Sequence, residues 1–208
     1  MSTESKIDLY KQHKGEYVAR QKPSLVKLEK VQYLGIAGQG APGGDEFVRR
    51  IGALYGMAYT IKMTRKFAGK GDYVVCKLEC QYGDASGQCD FSPEAVADLQ
   101  WRLLIRTPDF IKQKDLQEAA AKLLEKGKDE EVSEVALITF VEGPCMQMLH
   151  VGPYDEEERT VAVMRDWAAD QGYEIHGRHH EIYLSDPRRV APEKLRTILR
   201  LPLLKAKT

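Results

Sequence analysis

The chain has 208 residues, of which 43% are hydrophobic and 30% charged, and its 31 basic residues balance its 31 acidic ones. A net charge of zero gives no electrostatic reason to expect nucleic acid as a partner, because phosphate binding relies on a concentrated positive field. No apolar run reaches the roughly 20 residues that span a bilayer, and the polar opening lacks the apolar segment of a signal peptide. We therefore expect no membrane partner and a cytoplasmic location.

The four cysteines, Cys76, Cys80, Cys89 and Cys145, raise the question of a metal site. On an extended strand Cys76 and Cys80 lie about 13 Å apart, at about 3.3 Å per residue, which is too far for one zinc ion. We therefore expect reduced thiols, no bound metal and no cofactor.

The chain begins with a charged arm, residues 1–29, followed by a strand over 31–38. A glycine-rich connection leads to a helix of about four turns, with Asp45 as the candidate N-cap. The apolar stripe of this helix has helical spacing and consists of Phe47, Ile51, Leu54 and Ala58.

Two strands complete the first half. One covers 72–82 and carries Glu79 on its polar face, and the other, WRLLIRTP, ends at Pro108, because proline cannot continue a ladder. Between them, the turn signal GDASG precedes a short helix that begins at Ser92.

An amphipathic helix over 113–126 is predicted to connect the two halves, and Gly127 is placed to end it. The side chains expected to face inward are Leu116, Ala120, Leu123 and Leu124.

The second half begins with a strand over 134–142, a turn at Gly143–Pro144 and a strand in CMQMLHVG. The acidic run from Asp155 to Glu158 favours a helix N-terminus, so we interpret these glutamates as helix-start electrostatics rather than as a metal site. Gly172 ends the predicted helix.

The next strand alternates in an unusual way. His179, Glu181, Tyr183 and Ser185 fall on one side, whereas His180, Ile182 and Leu184 fall on the other. The aliphatic side can pack on a core, and the polar side is typical either of a pocket wall or of a solvated strand face.

The two halves correspond in order, each reading strand, helix, strand, strand. The matched positions are Gln32 with Gln147, Leu34 with Leu149, Ile36 with Val151, Arg102 with Arg196, Arg106 with Arg200, and Pro108 with Pro202. We predict a duplicated α+β fold in which the two units join their sheets, the helices cover one face and a cleft lies between the halves. The predicted single domain, 1–208, divides into the arm, a first repeat over 30–110, a connecting helix over 111–133 and a second repeat over 134–204.

Pseudo-symmetry suggests that Glu79 and Glu181 look into one cavity. Aromatic candidates for the same cavity are Tyr55, Tyr59, Trp101, His150 and Tyr154, although each is by itself more often a packing residue. Around a buried carboxylate they would suit a flat hydrophobic or cationic ligand.

Three catalytic or metal arrangements were weighed for the same strand. Ser185 and His179 lie three strand steps apart without an activating turn, which argues against a serine nucleophile. His179 and His180 point to opposite faces and cannot share a metal ion. A glutamate with a tyrosine is left, suited to general-base or electrostatic work in a desolvated pocket.

The runs HHEIYLSDPRR, PEKLRTILR and EGPCMQMLHVGPYDEE resemble the GyrI-like small-molecule-binding family, in the stand-alone branch similar to cyclopropanoid cyclopropyl hydrolases. The resemblance extends from about Lys30 to Leu203 and implies a tandem fold of the SHS2 type. It also implies a bacterial protein that binds large hydrophobic, often cationic or polycyclic compounds in an aromatic cleft with an acidic residue at its base. The matching positions are Glu181, Tyr55, Tyr59 and Glu79.

Some of the proteins that this chain resembles hydrolyse the cyclopropane of DNA-alkylating cyclopropanoids, a form of xenobiotic detoxification. We therefore expect Glu181 as general base and Tyr183 as a donor, with Tyr55, Tyr59, Glu79, Trp101, His150, Tyr154 and His179 as ligand contacts. This chain has LECQYGDASG where relatives have LEGLWW, so the tryptophan pair is missing.

A non-catalytic sequestering or sensing protein is the alternative function. A third function, inhibition of a nucleic-acid enzyme, rests on the family name alone. A monomer or homodimer is expected.

Overall fold

The computed structural model describes residues 6–84, 86 and 99–206 of the chain. Over these residues the helices are α1 (Leu9–Gln12), α2 (Asp45–Phe67), α3 (Gln113–Glu125) and α4 (Glu157–Asp170). The strands are β1 (Ser24–Gln39), β2 (Leu78–Gly83), β3 (Gln100–Arg106), β4 (Ala136–Val151), β5 (Tyr173–Ile175), β6 (His179–Tyr183) and β7 (Arg196–Lys205). Among the described helices, none is long and apolar enough to cross a membrane.

The strands form one antiparallel sheet with the order β4-β1-β3-β2-β6-β7-β5, and β4 also pairs with β7. This additional pairing closes six strands into a ring, since each of them is hydrogen-bonded to two neighbours. Successive residues of a strand alternate between the two faces of a sheet. The ring therefore divides the side chains of each strand between an inner and an outer environment.

The helices cover the outer face, which confirms the predicted α+β arrangement. In the first half, Leu34 of β1 packs in a buried cluster with Leu54 of α2 and Leu116 of α3. In the second half, Met148 of β4 packs in a separate cluster with Met164 of α4. Two helix layers therefore lie outside the ring, one for each half.

Helix α2 has charges that suit its dipole, with Asp45 and Glu46 in the first turn and Arg65 and Lys66 in the last. Its 23 residues exceed the predicted four turns. The predicted N-cap is wrong, because Gly44 holds that position and Asp45 is the first helical residue.

The predicted turn at Gly143–Pro144 is also wrong. Strand β4 passes through both residues, and they pair with Leu28 and Lys27 of β1. Gly143 has a φ of +72°, a backbone conformation that favours glycine, so the local sequence carries a turn signal inside a strand. The ladder from β1, more than 100 residues earlier in the chain, overrides it.

Helix α3 agrees with the prediction within one residue, and Leu116 and Leu123 are buried as expected. Leu124 is 42% exposed and does not face inward. The predicted helix at Ser92 and the thiol of Cys89 lie outside the described residues, whereas Cys76, Cys80 and Cys145 are free thiols.

The internal repeat is present, but its predicted alignment is off by one residue in the first strand of each half. Ile105 pairs with Leu34, and its counterpart Leu199 pairs with Met148 rather than Leu149. A one-residue slip exchanges the two faces of a strand. Accordingly Leu149 packs in a different cluster, with Ile182 and Ile198, on the face away from α4.

The matched pair Arg106 and Arg200 is consistent with the observed registers, because both arginines are buried and both contact the N-terminal arm. Arg106 donates to a carboxylate oxygen of Glu16 at 2.6 Å, and Arg200 donates to the backbone oxygen of the same residue at 2.7 Å. The arm thus brings Tyr17, which is 3% exposed, against the inner face of the ring.

Candidate functional site

Strand β6 supplies two opposite sets of side chains, as its alternation predicted. Its residue Glu181 pairs with Cys80 of β2, and His180 pairs with Gln81. Directly opposed residues of an antiparallel pair share a face, so Glu181 lies on the outer face with Cys80, whereas His180 lies on the inner face with Gln81. Each set forms its own polar group.

The outer set is called the Glu181 cluster. The Nε2 atom of His179 lies 3.2 Å from Oε1 of Glu181. Carboxylate oxygens of Glu157 and Glu181 and a ring nitrogen of His179 all lie within 4.8 Å of one another. The cluster consists of Tyr82, Tyr154, Glu157, His179, Glu181 and Tyr183.

Three phenols surround these acids. The hydroxyls of Tyr82 and Tyr183 lie 2.8 Å apart, and the ring of Tyr154 meets that of Tyr183 edge to face at 5.8 Å. Burial and then the charge of Glu181 raise the pKa of Tyr183 well above its usual value, and burial raises the pKa of Tyr154 to about 12. The phenols are therefore neutral at physiological pH and can donate hydrogen bonds.

Glu157 is the member that the sequence interpretation missed. It lies in the first turn of α4, as expected for a helix-start acid, but its side chain is buried, with 8% of the residue exposed. Burial, followed by the charge of Glu181, raises the pKa of Glu157 to about 10. The carboxylate oxygens of Glu157 and Glu181 lie within 4.8 Å of each other, so the repulsion between two negative charges adds to the effect of burial.

These three residues are also a possible metal-ligand group among the described residues, and we did not predict one. The prediction considered His179 with His180, which do point to opposite faces. It could not pair His179 with Glu157, because the two are brought together only by the packing of α4 on the sheet.

The inner set is called the ring network and consists of Glu79, Gln81, Glu142, His180 and Arg200. His180 lies between two carboxylates, with Nε2 3.0 Å from Glu79 and Nδ1 2.8 Å from Glu142. Arg200 donates to the other oxygen of Glu142 at 3.2 Å, and Gln81 donates to Glu142 at 3.0 Å.

The expectation that Glu79 shares a cavity with Glu181 is therefore wrong. Glu79 belongs to the inner face, where it accepts a hydrogen bond from the hydroxyl of Tyr17 at 3.0 Å. Neighbouring positions on paired strands have opposite faces, and the pseudo-symmetry argument did not specify the register of β2 against β6.

Charges of the ring network compensate one another. Burial by itself would raise the pKa of Glu142, but His180 and Arg200 outweigh it and lower that pKa to about 2. Burial would likewise lower the pKa of His180, yet the carboxylates of Glu142 and Glu79 raise it. The inner face is an internally paired structural network.

Two further predicted ligand contacts lie outside the Glu181 cluster. Trp101 is 1% exposed, meets the ring of Phe47 edge to face at 4.9 Å and donates Nε1–H to the oxygen of Gly40 at 3.1 Å. A Cβ at Gly38 would lie 2.1 Å from the indole, so this close packing requires glycine. Trp101 is a core residue.

His150 is buried beside the start of α4. Its Nδ1 lies 2.8 Å from the hydroxyl of Thr160, and its Nε2 lies 3.1 Å from the oxygen of Pro153. It holds the connection between β4 and α4, which carries Tyr154 and Glu157, so its link to the cluster is indirect.

Tyr55 and Tyr59 stack on each other along α2 at 6.2 Å. Burial, then the neighbouring phenol of Tyr59, raises the pKa of Tyr55, and the charges of Asp186 and Arg188 also affect it. Tyr55 therefore lies near the loop that follows β6, whereas Tyr59 is 52% exposed.

A surface pocket of about 620 Å³ lies elsewhere, at the ends of β1 and β3, and Trp101, Arg50 and Arg178 are among its lining residues. Arg50 there pairs with Glu46 at 2.9 Å and Glu134 at 2.7 Å. That pocket lies away from the acids of β6, so the candidate site considered below is the Glu181 cluster.

Comparison with known proteins identifies the family of the chain. The family model described as the GyrI-like small molecule binding domain matches residues 108–204, which include β6 and α4. An uncharacterized conserved protein from Listeria innocua is 38% identical, with a TM-score of 0.88, and the match covers 96% of this chain and 100% of that one. The chain belongs to the GyrI-like small-molecule-binding family.

Other solved structures extend the comparison of this GyrI-like protein. A protein described as a hydrolase from Listeria innocua is 36% identical, with a TM-score of 0.86, and the match covers 96% of this chain and 100% of that one. The EcmrR C-terminal domain is 11% identical, with a TM-score of 0.59 over 89% of this chain and 98% of that one, and shares the fold alone. No curated protein sequence matched the chain.

The end of strand β2 carries the difference from the LEGLWW pattern of the resembled proteins. Tyr82 stands where that pattern has its first tryptophan, and its ring belongs to the Glu181 cluster, 6.4 Å from that of His179. Gly83 stands at the second tryptophan. One aromatic position is therefore retained as tyrosine and one is lost.

Proposed function

We propose that this GyrI-like protein binds a hydrophobic, cationic or polycyclic small molecule at the Glu181 cluster and hydrolyses the cyclopropane of cyclopropanoid compounds. The observation that carries the proposal is a buried carboxylate whose ion-pair contact, among the described residues, is with the imidazole of His179 and not with a lysine or arginine. Glu181 is 7% exposed, and within the described residues no lysine or arginine forms an ion pair with it or with Glu157.

An uncompensated buried acid favours a ligand that brings a positive charge or a proton acceptor. The rings of Tyr82, Tyr154 and Tyr183 add aromatic faces, and a desolvated cation over such a face gains about 2 kcal/mol. Tyr154 is 39% exposed and marks the side from which a ligand can approach. Together these features support recognition of a flat or cationic apolar molecule.

Hydrolysis needs a base and a donor in the same place. In the proposed reaction Glu181 accepts a proton from water as the water oxygen attacks the strained carbon. The bond from that carbon to the ring breaks, and a phenolate develops, which the hydroxyl of Tyr183 stabilises by a hydrogen bond. The 36% identity to proteins described as hydrolases supports this choice over binding alone.

Mass spectrometry of a cyclopropanoid incubated with the purified protein tests the proposal, and addition of one water is the expected result. We expect Glu181→Gln to lose this activity by a factor of 10² to 10⁴, the usual contribution of a general base. Glu174→Gln changes an exposed acid on strand β5, which precedes β6 in the chain and pairs with β7; it is the matched control and should keep full activity. Equal rates in wild type and Glu181→Gln would rule out the proposed base.

A non-catalytic sequestering or sensing protein is the second candidate. Gly83 favours it, since it removes one of the two tryptophans of the resembled pattern and with it part of an aromatic wall. Tight binding of a cyclopropanoid without any water addition would select this function.

A further inference from the structure

The surface pocket at the ends of β1 and β3 has a volume of about 620 Å³. This volume falls in the range of about 300 to 1,000 Å³ that is typical of pockets for small organic ligands. Its lining includes three arginines and two glutamates, so the formal charge of its wall is +1. We call this cavity the arginine pocket, after Arg50, Arg102 and Arg178. It shares no residue with the Glu181 cluster, whose charge has the opposite sign.

Arg50, on α2, is the arginine of the pocket whose charge is paired. Its Nε lies 2.9 Å from a carboxylate oxygen of Glu46, and its Nη1 lies 2.7 Å from a carboxylate oxygen of Glu134. The same Nη1 donates a hydrogen bond to the backbone oxygen of Ala37 at 2.7 Å. Both glutamates of the pocket wall are therefore ion-paired with this one guanidinium.

Arg102, on β3, has no carboxylate at ion-pair distance among the described residues. It donates a hydrogen bond to the amide oxygen of Gln81, and its guanidinium lies 4.9 Å from the ring centroid of Phe140. Its Nε is shielded from solvent and has no hydrogen-bond partner. The carboxylate of Glu142 acts on it only at longer range. The positive charge of Arg102 is thus only partly compensated.

Arg178, which precedes β6, brings a second guanidinium to the same wall. It donates to the backbone oxygen of Asp84 at 3.5 Å, a long hydrogen bond, and no described carboxylate forms an ion pair with it. Burial, and after burial the charge of Arg178, lowers the pKa of Arg102, so the two cations are close enough to repel each other. Two like charges that line one cavity favour a ligand of the opposite charge.

We propose that the arginine pocket is a second ligand site, which binds a small organic carboxylate through Arg102 and Arg178. Guanidinium groups match the geometry of a carboxylate and form charge-assisted hydrogen bonds with it. A single negative charge neutralises a wall of formal charge +1, whereas a phosphate dianion would leave an excess. Ala37, Gly38 and Trp101 add apolar surface to the lining, so the expected ligand carries its carboxylate on an apolar group.

Calorimetry with 2-naphthoate and the neutral 2-naphthamide, which has the same ring system, tests the charge preference. We expect 2-naphthoate to bind wild type at least roughly tenfold more tightly than the amide, and Arg178→Met to lower its affinity roughly tenfold. Arg178→Lys keeps the charge without the planar fork and should recover part of the affinity. Equal affinities of the two compounds for wild type, or an unchanged affinity for 2-naphthoate in Arg178→Met, would overturn the site.

Arg49→Met is the matched control for these variants. It removes the same charge from the helix that carries Arg50, but Arg49 is exposed, pairs with Glu131 and does not line the pocket. We expect it to bind 2-naphthoate as wild type does. A loss in Arg49→Met as large as that in Arg178→Met would show a general effect of charge and would refute a specific site.

Nuclear magnetic resonance of the two tryptophan side chains locates the ligand. Trp101 lines the pocket, whereas Trp167 packs against the second-half core. We expect 2-naphthoate to shift the indole N–H signal of Trp101 and not that of Trp167, and Trp167→Phe assigns the two signals. Glu181→Gln should bind 2-naphthoate as wild type does, so this test is independent of the proposed function. A shift of Trp167 alone, or a loss of binding in Glu181→Gln, would refute the second site.

Discussion

Strand β6 contributes side chains to both faces of the six-stranded ring, and the buried charges are paired with opposite charges on only one of these faces. On the inner face, His180 and Arg200 neutralise Glu142 and Glu79. On the outer face, Glu181 and Glu157 lie beside His179 and the phenols of the Glu181 cluster, and no arginine or lysine among the described residues forms an ion pair with them. A buried charge that is paired with an opposite charge is typical of a structural network. A buried acid without a lysine or arginine partner is typical of a site that binds a ligand or a proton.

The largest expected effect is a loss of stability when the ring network on the inner face is disrupted. Arg200→Met removes the guanidinium from a fully buried network and leaves Glu142 with one cationic neighbour fewer. Removal of one partner from a buried ion pair costs about 3 to 5 kcal/mol. Urea unfolding should show this loss, whereas Arg188→Met, at an exposed ion pair with Asp186, should stay within about 0.5 kcal/mol of wild type. A similar small effect for both variants would contradict a structural role for the ring network.

The inner face also predicts a sensitivity to acid. The pKa of Glu142 is lowered from 4.5 to about 2, so its contribution to the free energy of unfolding is present above pH 4.5 and is lost as the pH falls through 2. A shift of this size corresponds to about 3 kcal/mol. Unfolding measurements from pH 5 to pH 2 should show the decline, and it should be smaller in Glu142→Gln. An equal decline in both proteins would exclude Glu142 as its source.

The outer face predicts the opposite dependence. The pKa of Glu157 is raised from 4.5 to about 10, so above pH 4.5 the unfolded chain releases a proton that the folded protein keeps, and the free energy of unfolding falls as the pH rises. We expect Glu157→Gln to be more stable than wild type at pH 8 by on the order of 2 kcal/mol, because the amide is neutral and still donates to Glu181. Glu158→Gln should show no such gain, and a destabilised Glu157→Gln at pH 8 would contradict an uncompensated pair.

The smallest expected effect concerns ligand charge. A quaternary ammonium compound with a long alkyl chain should bind at the outer face with its cation near Glu181, and Glu181→Gln should weaken it by about 1 to 2 kcal/mol, or roughly tenfold. A neutral alcohol of equal chain length should bind both proteins alike, since it needs no counter-charge. Calorimetry is the suitable measurement, because Trp101 is a core residue and not a reporter of this site. Equal losses for both ligands would show that Glu181 acts through shape alone.

Local sequence predicted the elements that have strong periodic patterns. The stripe of α2, the span of α3 and the alternation of β6 follow from the spacing of apolar residues, which depends only on helix and strand geometry. Glu181 and Tyr183 were found for the same reason. The turn predicted at Gly143–Pro144 failed because long-range pairing with β1 decided that backbone.

Site membership was harder to predict wherever it depended on register or on contacts between elements. Glu79 was assigned to the wrong face, since pseudo-symmetry fixes which strands meet but not which residues oppose each other. The sequence did not predict that Tyr82 and Glu157 lie in the Glu181 cluster, although the aromatic at the first tryptophan position of the resembled pattern was a usable signal for Tyr82. Nothing in the sequence distinguishes Glu157 from Glu156 and Glu158 before α4 is packed on the sheet.

By itself, therefore, the sequence determined the α+β class, the repeated order of strands and helices, and the strand that carries Glu181, because these depend on periodicities within a few residues of one another. Only the tertiary structure decided the closure of the ring, the separation of Glu79 from Glu181, and the meeting of Glu157 with Glu181. These depend on register and on helix packing between segments far apart in the chain. Burial at those contacts places ordinary carboxylates in an ion-paired network on one face and in a buried acidic group on the other.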